Sequence, residues 1–558
     1  MATTPNPALV TQRAAQRLPR AALLLFCAAY VLPGLFGRDP WRNADITAYG
    51  YMASIAQGHS GWLSPSVGGL PADAALLPYW IGASAISMFS PLIDPAVAAR
   101  LPFALLLVLS LVMTWYSTYH LARTDAALPL PFAFGGEADP VDYARAVADG
   151  ALLALIATLG LLQLGHETTP ELAQLASASV FLYALAASPY RPRLAALAAL
   201  LSLPALAASG APAIALALGL CGLLVSVRSS YPAVRRFAVP LAIGTAAAVA
   251  TASVLDAWHN RIEMPLTLSD LGTSLRLLGW FTWPTLPLAA FTLWRWRRQW
   301  RKRHMSVPLA CAGVAVVASL VMGGVDRALM LGLPALAVLG AFALPTLRRS
   351  TGAAIDWFSV FFFSICALTI WVVYAAVQTG VPARPAANVQ RLLPGFVSTF
   401  SGFELLLAVA GSAAWVALVF WRTGRNRHPL WKSMVLPASG VALCWLLLMS
   451  LWLPMLDHAR SERPLVQGVA RHIPSQSCVA MPRSPLARIA AIEQLGGYRV
   501  DAANALDRTP CNYLLLQEPR NGAEPGPAGW KLLAKVRRPT DRNELVAIYA
   551  RVGAAARP

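Results

Sequence analysis

Charged residues are scarce in this sequence. Only 13% of its 558 residues are Asp, Glu, Lys or Arg, whereas an average soluble protein has about 25%. The deficit extends over roughly the first 455 residues, and 57% of the whole chain is hydrophobic. This distribution excludes a soluble enzyme with one anchor and predicts a mainly α, polytopic helical membrane protein.

Cysteine is also scarce, and its spacing fits no metal site. Five of the seven cysteines stand singly in apolar runs, where they are small packing residues. Cys478 and Cys511 lie in the only long polar region and could pair if that region is periplasmic. The sequence therefore predicts no metal ligands and no certain cofactor, and it leaves a requirement for a divalent metal open.

Acidic residues are outnumbered by basic ones, and the formal net charge is +19. A nucleic-acid partner would explain this charge, but basic residues also accumulate in the cytoplasmic loops of membrane proteins. When apolar runs are counted as spans, the basic residues fall in alternate loops, with a Trp- and Arg-rich cluster at 294–303. We therefore predict membrane lipids as partners, no nucleic acid and a cytoplasmic N-terminus.

Thirteen apolar runs are long enough to be predicted as spans. A fourteenth run, 76–90, is short and begins Leu-Leu-Pro-Tyr-Trp, which is typical of a helix lying in the membrane interface. The thirteen runs are 20–37, 98–122, 150–165, 171–187, 193–208, 211–227, 233–255, 272–294, 305–323, 326–346, 355–377, 402–421 and 433–455.

The predicted topology has three parts, and the odd number of spans places the N-terminal and C-terminal parts on opposite sides of the membrane. Residues 1–19 are predicted as a cytoplasmic tail, and 20–456 as the transmembrane domain with a first periplasmic loop at 38–97. Residues 457–558 have the composition of a small periplasmic α/β domain. Its predicted strands are at 479–481, 513–516 and 545–549, and its predicted helices at 464–472 and 485–494.

Carboxylates gather near the predicted outer ends of the spans. Ionisable groups at such depth are costly unless they face water, a partner or a substrate, so they are candidate functional residues. A carboxylate there could act as a general base, and a nearby arginine could bind a phosphate. These carboxylates are Asp39, Asp45, Asp73, Glu167, Glu171 and Asp326, the last followed by Arg327.

Each of these residues also has a structural interpretation. Asp39 could make a turn before Pro40, and Asp45 could cap the helix that begins at Ile46. Glu171 could be favoured by the dipole of a helix that starts with Thr169 and Pro170. Spacing alone leaves both interpretations open.

The order of motifs after the first span resembles a known family. It is similar to the first outer loop of C-type (GT-C) membrane glycosyltransferases, and most of all to bacterial lipid A aminoarabinose transferases and their protein O-mannosyltransferase relatives. The matching stretches are Gly37-Arg-Asp-Pro-Trp-Arg-Asn-Ala-Asp45, Tyr49 to Gly58, Trp62-Leu-Ser-Pro65, Pro78-Tyr-Trp80, Ala98-Ala-Arg-Leu-Pro102 and Asp326 to Ala337.

The resemblance implies an inverting transfer of a sugar from a polyprenyl-phosphate carrier, such as undecaprenyl phosphate, at the periplasmic face of the bacterial inner membrane. The acceptor would be a lipid or glycan of the lipid A kind. Asp45 matches the family's first acidic residue, which positions or deprotonates the acceptor. Glu171, or else Glu167, matches the second. The implied substrate-binding residues are Arg38, Arg42, Asp73, His166, Asp326 and Arg327, although His166 also fits an interfacial histidine.

Two departures from the family pattern concern the donor. The glutamate–lysine pair expected before the Pro-Leu-x-Tyr-Trp element is replaced by Pro71 to Pro78, which contains Asp73 and no lysine. The Lys-Gly-Pro of a middle span is replaced by Ser209-Gly-Ala-Pro212. These changes favour a different donor sugar or an inactive relative.

A non-enzymatic transporter or flippase of lipid-linked glycans is the alternative function. Such a protein should show two related halves with charged or broken helices at the midplane. The sequence has no convincing internal repeat, and its carboxylates gather at one face. Both observations favour the enzyme.

Overall fold

The structure, a computed structural model, describes residues 7–73, 75–258, 268–423, 429–519, 527–541 and 544–552. Helices dominate it, and two short 3-10 turns lie at Arg297–Gln299 and Leu344–Thr346. The helices are α1 (Arg20–Val31), α2 (Ala44–Ala56), α3 (Leu76–Phe89), α4 (Pro95–Ala122), α5 (Pro140–Ile156), α6 (Leu159–Leu164), α7 (Pro170–Ala187), α8 (Pro192–Ala208), α9 (Pro212–Val227), α10 (Pro232–Val254), α11 (Leu268–Phe281), α12 (Thr285–Arg295), α13 (Arg303–Val321), α14 (Asp326–Met330), α15 (Leu333–Ala341), α16 (Arg349–Thr379), α17 (Ala383–Leu392), α18 (Gly402–Thr423), α19 (Lys432–Leu448), α20 (Leu453–Arg460), α21 (Arg463–Ala470) and α22 (Leu486–Gly496).

The predicted polytopic helical architecture is confirmed. Within the described part of the chain, α4, α10, α13, α16 and α18 are each long and apolar enough to cross a membrane. The bent pair α19–α20 makes a sixth if it is one span. Every predicted run overlaps at least one helix, and the count of thirteen crossings stays a prediction.

The centre of the bundle is built by α4, α5, α7, α8 and α10, which pack against one another along their lengths. Small residues allow the close approach. A Cβ on Gly244 of α10 would lie 2.8 Å from the backbone oxygen of Ala199 on α8, closer than atoms can pack. Dense helix contact of this kind is how membrane bundles gain stability without a hydrophobic driving force between the helices.

Several predicted spans are interrupted where proline or glycine intervenes. The first run, 20–37, stops being helical at Val31, because Pro33 follows and Gly34 has a positive φ of 83°. The run 433–455 divides into α19 and α20, whose axes differ by 72°. Pro454 stands in the first turn of α20 and has no N–H to continue the helix of α19.

Residues 38–97, predicted as the first periplasmic loop and called the first outer loop below, fold into two helices joined by a small hairpin. Helix α2 is followed by strands β1 (Ser66–Val67) and β2 (Leu70–Pro71), which pair antiparallel, and then by α3. Helix α3 occupies the predicted interfacial run and packs against α2 and α4 through its buried face. At its end Asp94 caps α4 by accepting hydrogen bonds from the N–H groups of Ala96 and Val97.

The C-terminal region forms a five-stranded sheet with α21 and α22. The strands are β3 (Cys478–Ala480), β4 (Arg499–Asp501), β5 (Tyr513–Pro519), β6 (Trp530–Val536) and β7 (Glu544–Arg551). Their order is β4-β3-β5-β7-β6, with β3 parallel to β4 and β5 and the other pairs antiparallel. The predicted α/β class is confirmed, whereas β4 and β6 escaped prediction.

A disulfide cross-links the C-terminal region, which packs against the first outer loop. Cys478 and Cys511 form the disulfide, with their Cα atoms 4.7 Å apart. Helix α22 lies against α2, where a Cβ on Gly50 would come within 2.7 Å of the Cβ of Ala490. The C-terminal sheet and the first outer loop therefore lie together at one end of the bundle.

Candidate functional site

Asp45 is a buried carboxylate in the first turn of α2. Its Oδ2 atom accepts hydrogen bonds from Arg38 Nη1 and from the N–H of Trp41, both at 3.0 Å. Its Oδ1 atom accepts two more, from the N–H of Thr168 at 2.8 Å and from its hydroxyl at 2.6 Å. A carboxylate has about four acceptor positions, so protein donors fill all of those of Asp45.

The environment keeps Asp45 ionised. Burial alone would raise the pKa of Asp45, but the charges of Arg38 and Arg100 and the hydrogen bonds from Thr168 lower that pKa overall. The helix start predicted at Ile46 lies two residues earlier, at Ala44, with Asn43 as the N-cap. Asp45 therefore ties the start of α2 to Arg38 and Thr168 in addition to lying in the first helical turn.

Arg38 is buried together with Asp45, and all three nitrogens of its guanidinium group donate hydrogen bonds. Nε donates to Gly34 O at 2.9 Å, and Nη2 donates to His166 O at 2.6 Å. The Arg38 Cζ atom also lies 4.7 Å from the centre of the Trp41 ring. Because each of its three nitrogens donates a hydrogen bond and one of them bonds to Asp45, Arg38 acts in this structure as the counter-charge of Asp45.

His166 faces the protein interior in this structure. Its Nδ1 atom lies 2.7 Å from Leu162 O, its Nε2 atom 2.8 Å from Tyr30 O, and its ring 4.6 Å from that of Trp445. Burial lowers the pKa of His166 to about 4, so the ring is neutral and only one nitrogen donates. These contacts match the interior-packing role of a histidine better than phosphate binding.

A second cluster surrounds Arg327 at the start of α14. Its Nη2 atom donates to Glu167 at 2.7 Å, and its Nη1 atom donates to Glu171 and to the hydroxyl of Thr169, each at 3.2 Å. The N–H of Arg327 donates to the Asp326 carboxylate at 2.8 Å. The structure thus brings together four of the residues singled out from the sequence, although they come from two distant stretches of the chain.

The two glutamates of this cluster differ in accessibility. The side chain of Glu167 is only 6% exposed, and its second oxygen accepts a hydrogen bond from Gln163 at 2.9 Å. The side chain of Glu171 is 25% exposed and lies in the first turn of α7, after Pro170. Thr169 occupies the N-cap position, but its hydroxyl contacts Arg327 and caps no backbone N–H.

The segment 166–169 joins the Asp45 and Arg327 clusters. His166 and Thr168 contact Arg38 and Asp45, whereas Glu167 and Thr169 contact Arg327. Thr169 has extended backbone angles, with φ −110° and ψ 155°. Neighbouring residues of this segment therefore contact different clusters, and the segment connects the two.

The other candidate residues lie around these clusters. Arg42 is exposed and lies 3.9 Å from Asp541 of the C-terminal region. Asp73 follows β2, and its charge adds to the burial that raises the pKa of Tyr51 to about 12. Among the residues that the structure describes, no group of three His, Cys, Asp or Glu side chains could hold a metal ion.

Sequence reasoning missed the contacts between this site and α20. Asp39, predicted as a turn residue or functional acid, is paired with Arg463 and accepts a hydrogen bond from the Ser461 hydroxyl at 2.7 Å. Asp457 accepts hydrogen bonds from the N–H of Asp39 and from Trp41 Nε1. Asp457 follows the last predicted span, so the rule that singled out Asp39 also applies to it.

Arg100 is the remaining buried charge near Asp45. It is 3% exposed, and its Nη1 atom donates weakly to Leu35 O at 3.4 Å. With His166 and Thr168 it lines a small cavity between α1 and α4. The sequence signal for it was the Ala-Ala-Arg-Leu-Pro motif at 98–102.

The bundle, the two-helix outer loop and the terminal sheet define a polytopic membrane protein of the GT-C fold. Two of the solved structures that share this fold are structures of one protein, ArnT. One is "ArnT from Cupriavidus metallidurans bound to Undecaprenyl phosphate", with a TM-score of 0.56 and 14% identity over 97% of this chain and 98% of ArnT. The other is the same ArnT in the apo state, with a TM-score of 0.56 and 13% identity over 95% and 96% of the two chains.

At this identity the likeness establishes a common fold along nearly the whole chain. No protein-family model matches the sequence, and no curated protein matches it either. ArnT is the lipid A aminoarabinose transferase. The resemblance predicted from the order of motifs is thereby confirmed at the level of the fold.

Proposed function

We propose that this protein is a glycosyltransferase that moves a sugar from a polyprenyl-phosphate carrier to a lipid or glycan acceptor, with lipid A as a candidate. The observation that supports the proposal is the meeting of six candidate residues in two joined clusters, within a fold that ArnT shares along nearly the whole chain. The reaction would take place at the periplasmic face of the bacterial inner membrane, with the N-terminus in the cytoplasm and residues 457–558 in the periplasm.

Arg327 is the proposed ligand of the carrier phosphate. A guanidinium binds phosphate with two parallel hydrogen bonds. In this structure Arg327 donates its hydrogen bonds to Glu167 and Glu171 instead. Its side chain is 22% exposed, so a phosphate can reach it and replace a carboxylate. Arg38 is a poorer candidate, because its side chain is only 2% exposed and each of its nitrogens already donates a hydrogen bond within the protein.

Glu171 is the proposed general base, and Asp45 the group that holds the site together. The acceptor hydroxyl oxygen would attack the anomeric carbon while its proton passes to the Glu171 carboxylate. The bond from that carbon to the phosphate oxygen breaks, and polyprenyl phosphate leaves with the electron pair. Glu171 is the more exposed carboxylate, whereas every acceptor position of Asp45 is already filled.

The test is transfer by the purified protein in liposomes that contain a radiolabelled polyprenyl-phosphate sugar and an acceptor lipid. Glu171→Gln should lower kcat by about 100-fold or more, the usual contribution of a general base. Glu404→Gln is the matched control, because Glu404 also lies in the first turn of an apolar helix, α18. Normal kcat in Glu171→Gln would exclude Glu171 as the base.

The same assay separates the enzyme from a lipid-linked glycan transporter. An enzyme releases polyprenyl phosphate and labels the acceptor, whereas a transporter moves the intact carrier between leaflets. A chelator arm tests the requirement for a divalent metal. Movement of intact carrier without any new glycosidic bond would replace this proposal with the transporter.

A further inference from the structure

Trp41 is shared between the first outer loop and α20. Its Nε1 atom donates a hydrogen bond to Asp457 Oδ1 at 3.1 Å, while its backbone N–H donates to Asp45. The guanidinium carbons of Arg38 and Arg460 lie 4.7 and 4.9 Å from the centre of its ring. One side chain thus touches both the Asp45–Arg38 pair and the helix that leads into the C-terminal sheet.

Asp457 fixes the backbone that reaches Asp45. The oxygen that accepts from the Trp41 indole also accepts from the N–H of Asp39 at 2.9 Å. Pro40, whose φ is restricted by its ring, lies between these two donors. Because both ends of this short segment are bonded to one carboxylate oxygen, the Trp41 N–H has little freedom to turn away from Asp45.

Further contacts run along the same line. The N–H of Arg42 donates to Arg460 O at 3.0 Å. Arg463 Nε donates to Asp39 Oδ2 at 2.8 Å. Residues 39–42 are therefore held along their length by residues 457–463, of which Asp457 alone contacts Trp41 through a carboxylate.

We propose that Asp457 is a positioning residue of the transfer reaction, which acts through Trp41 to hold Asp45 and Arg38 in place. The C-terminal region thus takes part in the reaction by setting the geometry of the first outer loop, without touching substrate. This inference rests on the proposed function for its catalytic consequence, whereas the hold on the loop can be measured independently.

The chemistry of the contact provides a sharp pair of variants. Asp457→Asn keeps a carbonyl oxygen that can accept both hydrogen bonds, whereas Asp457→Ala removes the acceptor. Asp507→Ala is the matched control, because its side chain is 77% exposed and lies in the same C-terminal region. Trp41→Phe removes the indole donor and completes a double-mutant cycle with Asp457→Ala.

The first measurement is hydrogen–deuterium exchange of the peptide that covers residues 38–45 in the purified full-length protein. We expect exchange to rise about tenfold in Asp457→Ala and to stay within about twofold of wild type in Asp457→Asn and Asp507→Ala. Unchanged exchange in Asp457→Ala would overturn the proposal. A similar rise in peptides throughout the protein would overturn it too, since that indicates general destabilisation.

The second measurement is transfer in the liposome assay. Asp457→Ala should lower kcat about tenfold or more with the KM for the carrier within about threefold, and Asp457→Asn should restore most of the rate. In the Trp41→Phe background the effect of Asp457→Ala should shrink, and strict additivity would contradict the coupling. Absence of transfer by wild type would refute the proposed function, and the exchange data would still decide whether Asp457 holds the loop.

Discussion

Thr168 donates two hydrogen bonds to one oxygen of Asp45, at 2.8 Å from its backbone N–H and at 2.6 Å from its hydroxyl. These bonds connect the start of α2 with the loop before α7, two elements that lie more than 100 residues apart in the chain. Both partners are buried. The contact therefore belongs to the framework of the site, and its removal should be visible in stability and in activity.

Replacement of Thr168 by Val tests the hydroxyl alone. Val keeps the shape and the backbone N–H, so one hydrogen bond to a charged acceptor is lost, at a cost of about 1.5 to 3 kcal/mol in unfolding free energy. The thermal unfolding temperature and the transfer rate should both fall. Thr47→Val is the control, because the Thr47 hydroxyl donates to Asn43 O at an exposed position. Equal stability of the two variants would contradict this role.

Asp45→Asn should abolish transfer and also destabilise the outer loop. The resemblance to aminoarabinose transferases predicts the loss of transfer, and the four donors around Asp45 add the loss of stability. An Asn side chain leaves the buried Arg38 uncompensated, and breaking a buried pair costs about 3 to 5 kcal/mol. Asp94→Asn is the control, because Asn caps a helix about as well as Asp. If Asp45→Asn has the same unfolding free energy as wild type, the Arg38–Asp45 pair contributes little to stability.

The Asp39–Arg463 pair should make part of the unfolding free energy depend on pH, with a loss of stability at acidic pH. Burial raises the pKa of Asp39, but hydrogen bonds from Arg463 and Ser461 and the Arg463 charge lower it overall. The stabilisation is therefore present above the unfolded pKa of about 3.9 and is lost as pH falls through the lower folded pKa. The Tm difference between wild type and Asp39→Asn should be largest near neutral pH and vanish once the pH is below the lowered folded pKa of Asp39. A difference that stays constant with pH would contradict the pairing.

The Cys478–Cys511 disulfide should stabilise the C-terminal sheet. The two cysteines are 33 residues apart, and closing a loop of that length contributes about 3 to 4 kcal/mol. Alkylation before and after reduction should reveal five free thiols and then seven, in agreement with the five cysteines outside the bond. The double variant Cys478→Ser/Cys511→Ser should unfold earlier than Cys27→Ser. Two additional thiols in the unreduced protein would place this region in a reducing compartment.

Much of the fold follows from the sequence, because hydrophobic length and the alternation of basic loops are strong signals. The order of motifs around Asp45 was sufficient to indicate the GT-C fold. The hydrogen bonds from Arg327 to Glu167 and Glu171 could not be predicted from the sequence, since no local rule connects residues 156 to 160 positions apart. Strand β6 was missed because it is an edge strand with exposed Leu532 and Leu533 and a bulge that breaks the alternation.

The segment 166–169 links the two clusters directly, because Thr168 contacts Asp45 while its neighbours Glu167 and Thr169 contact Arg327. If a phosphate draws Arg327 away from Glu167 or Thr169, the strain passes within one residue to Thr168 and so to Asp45. Binding of the carrier would then change the geometry of both clusters, including the alignment of the first outer loop at Asp45. Deletion of one residue in this segment would displace the groups that contact Asp45 and Arg327 and should disable both clusters together.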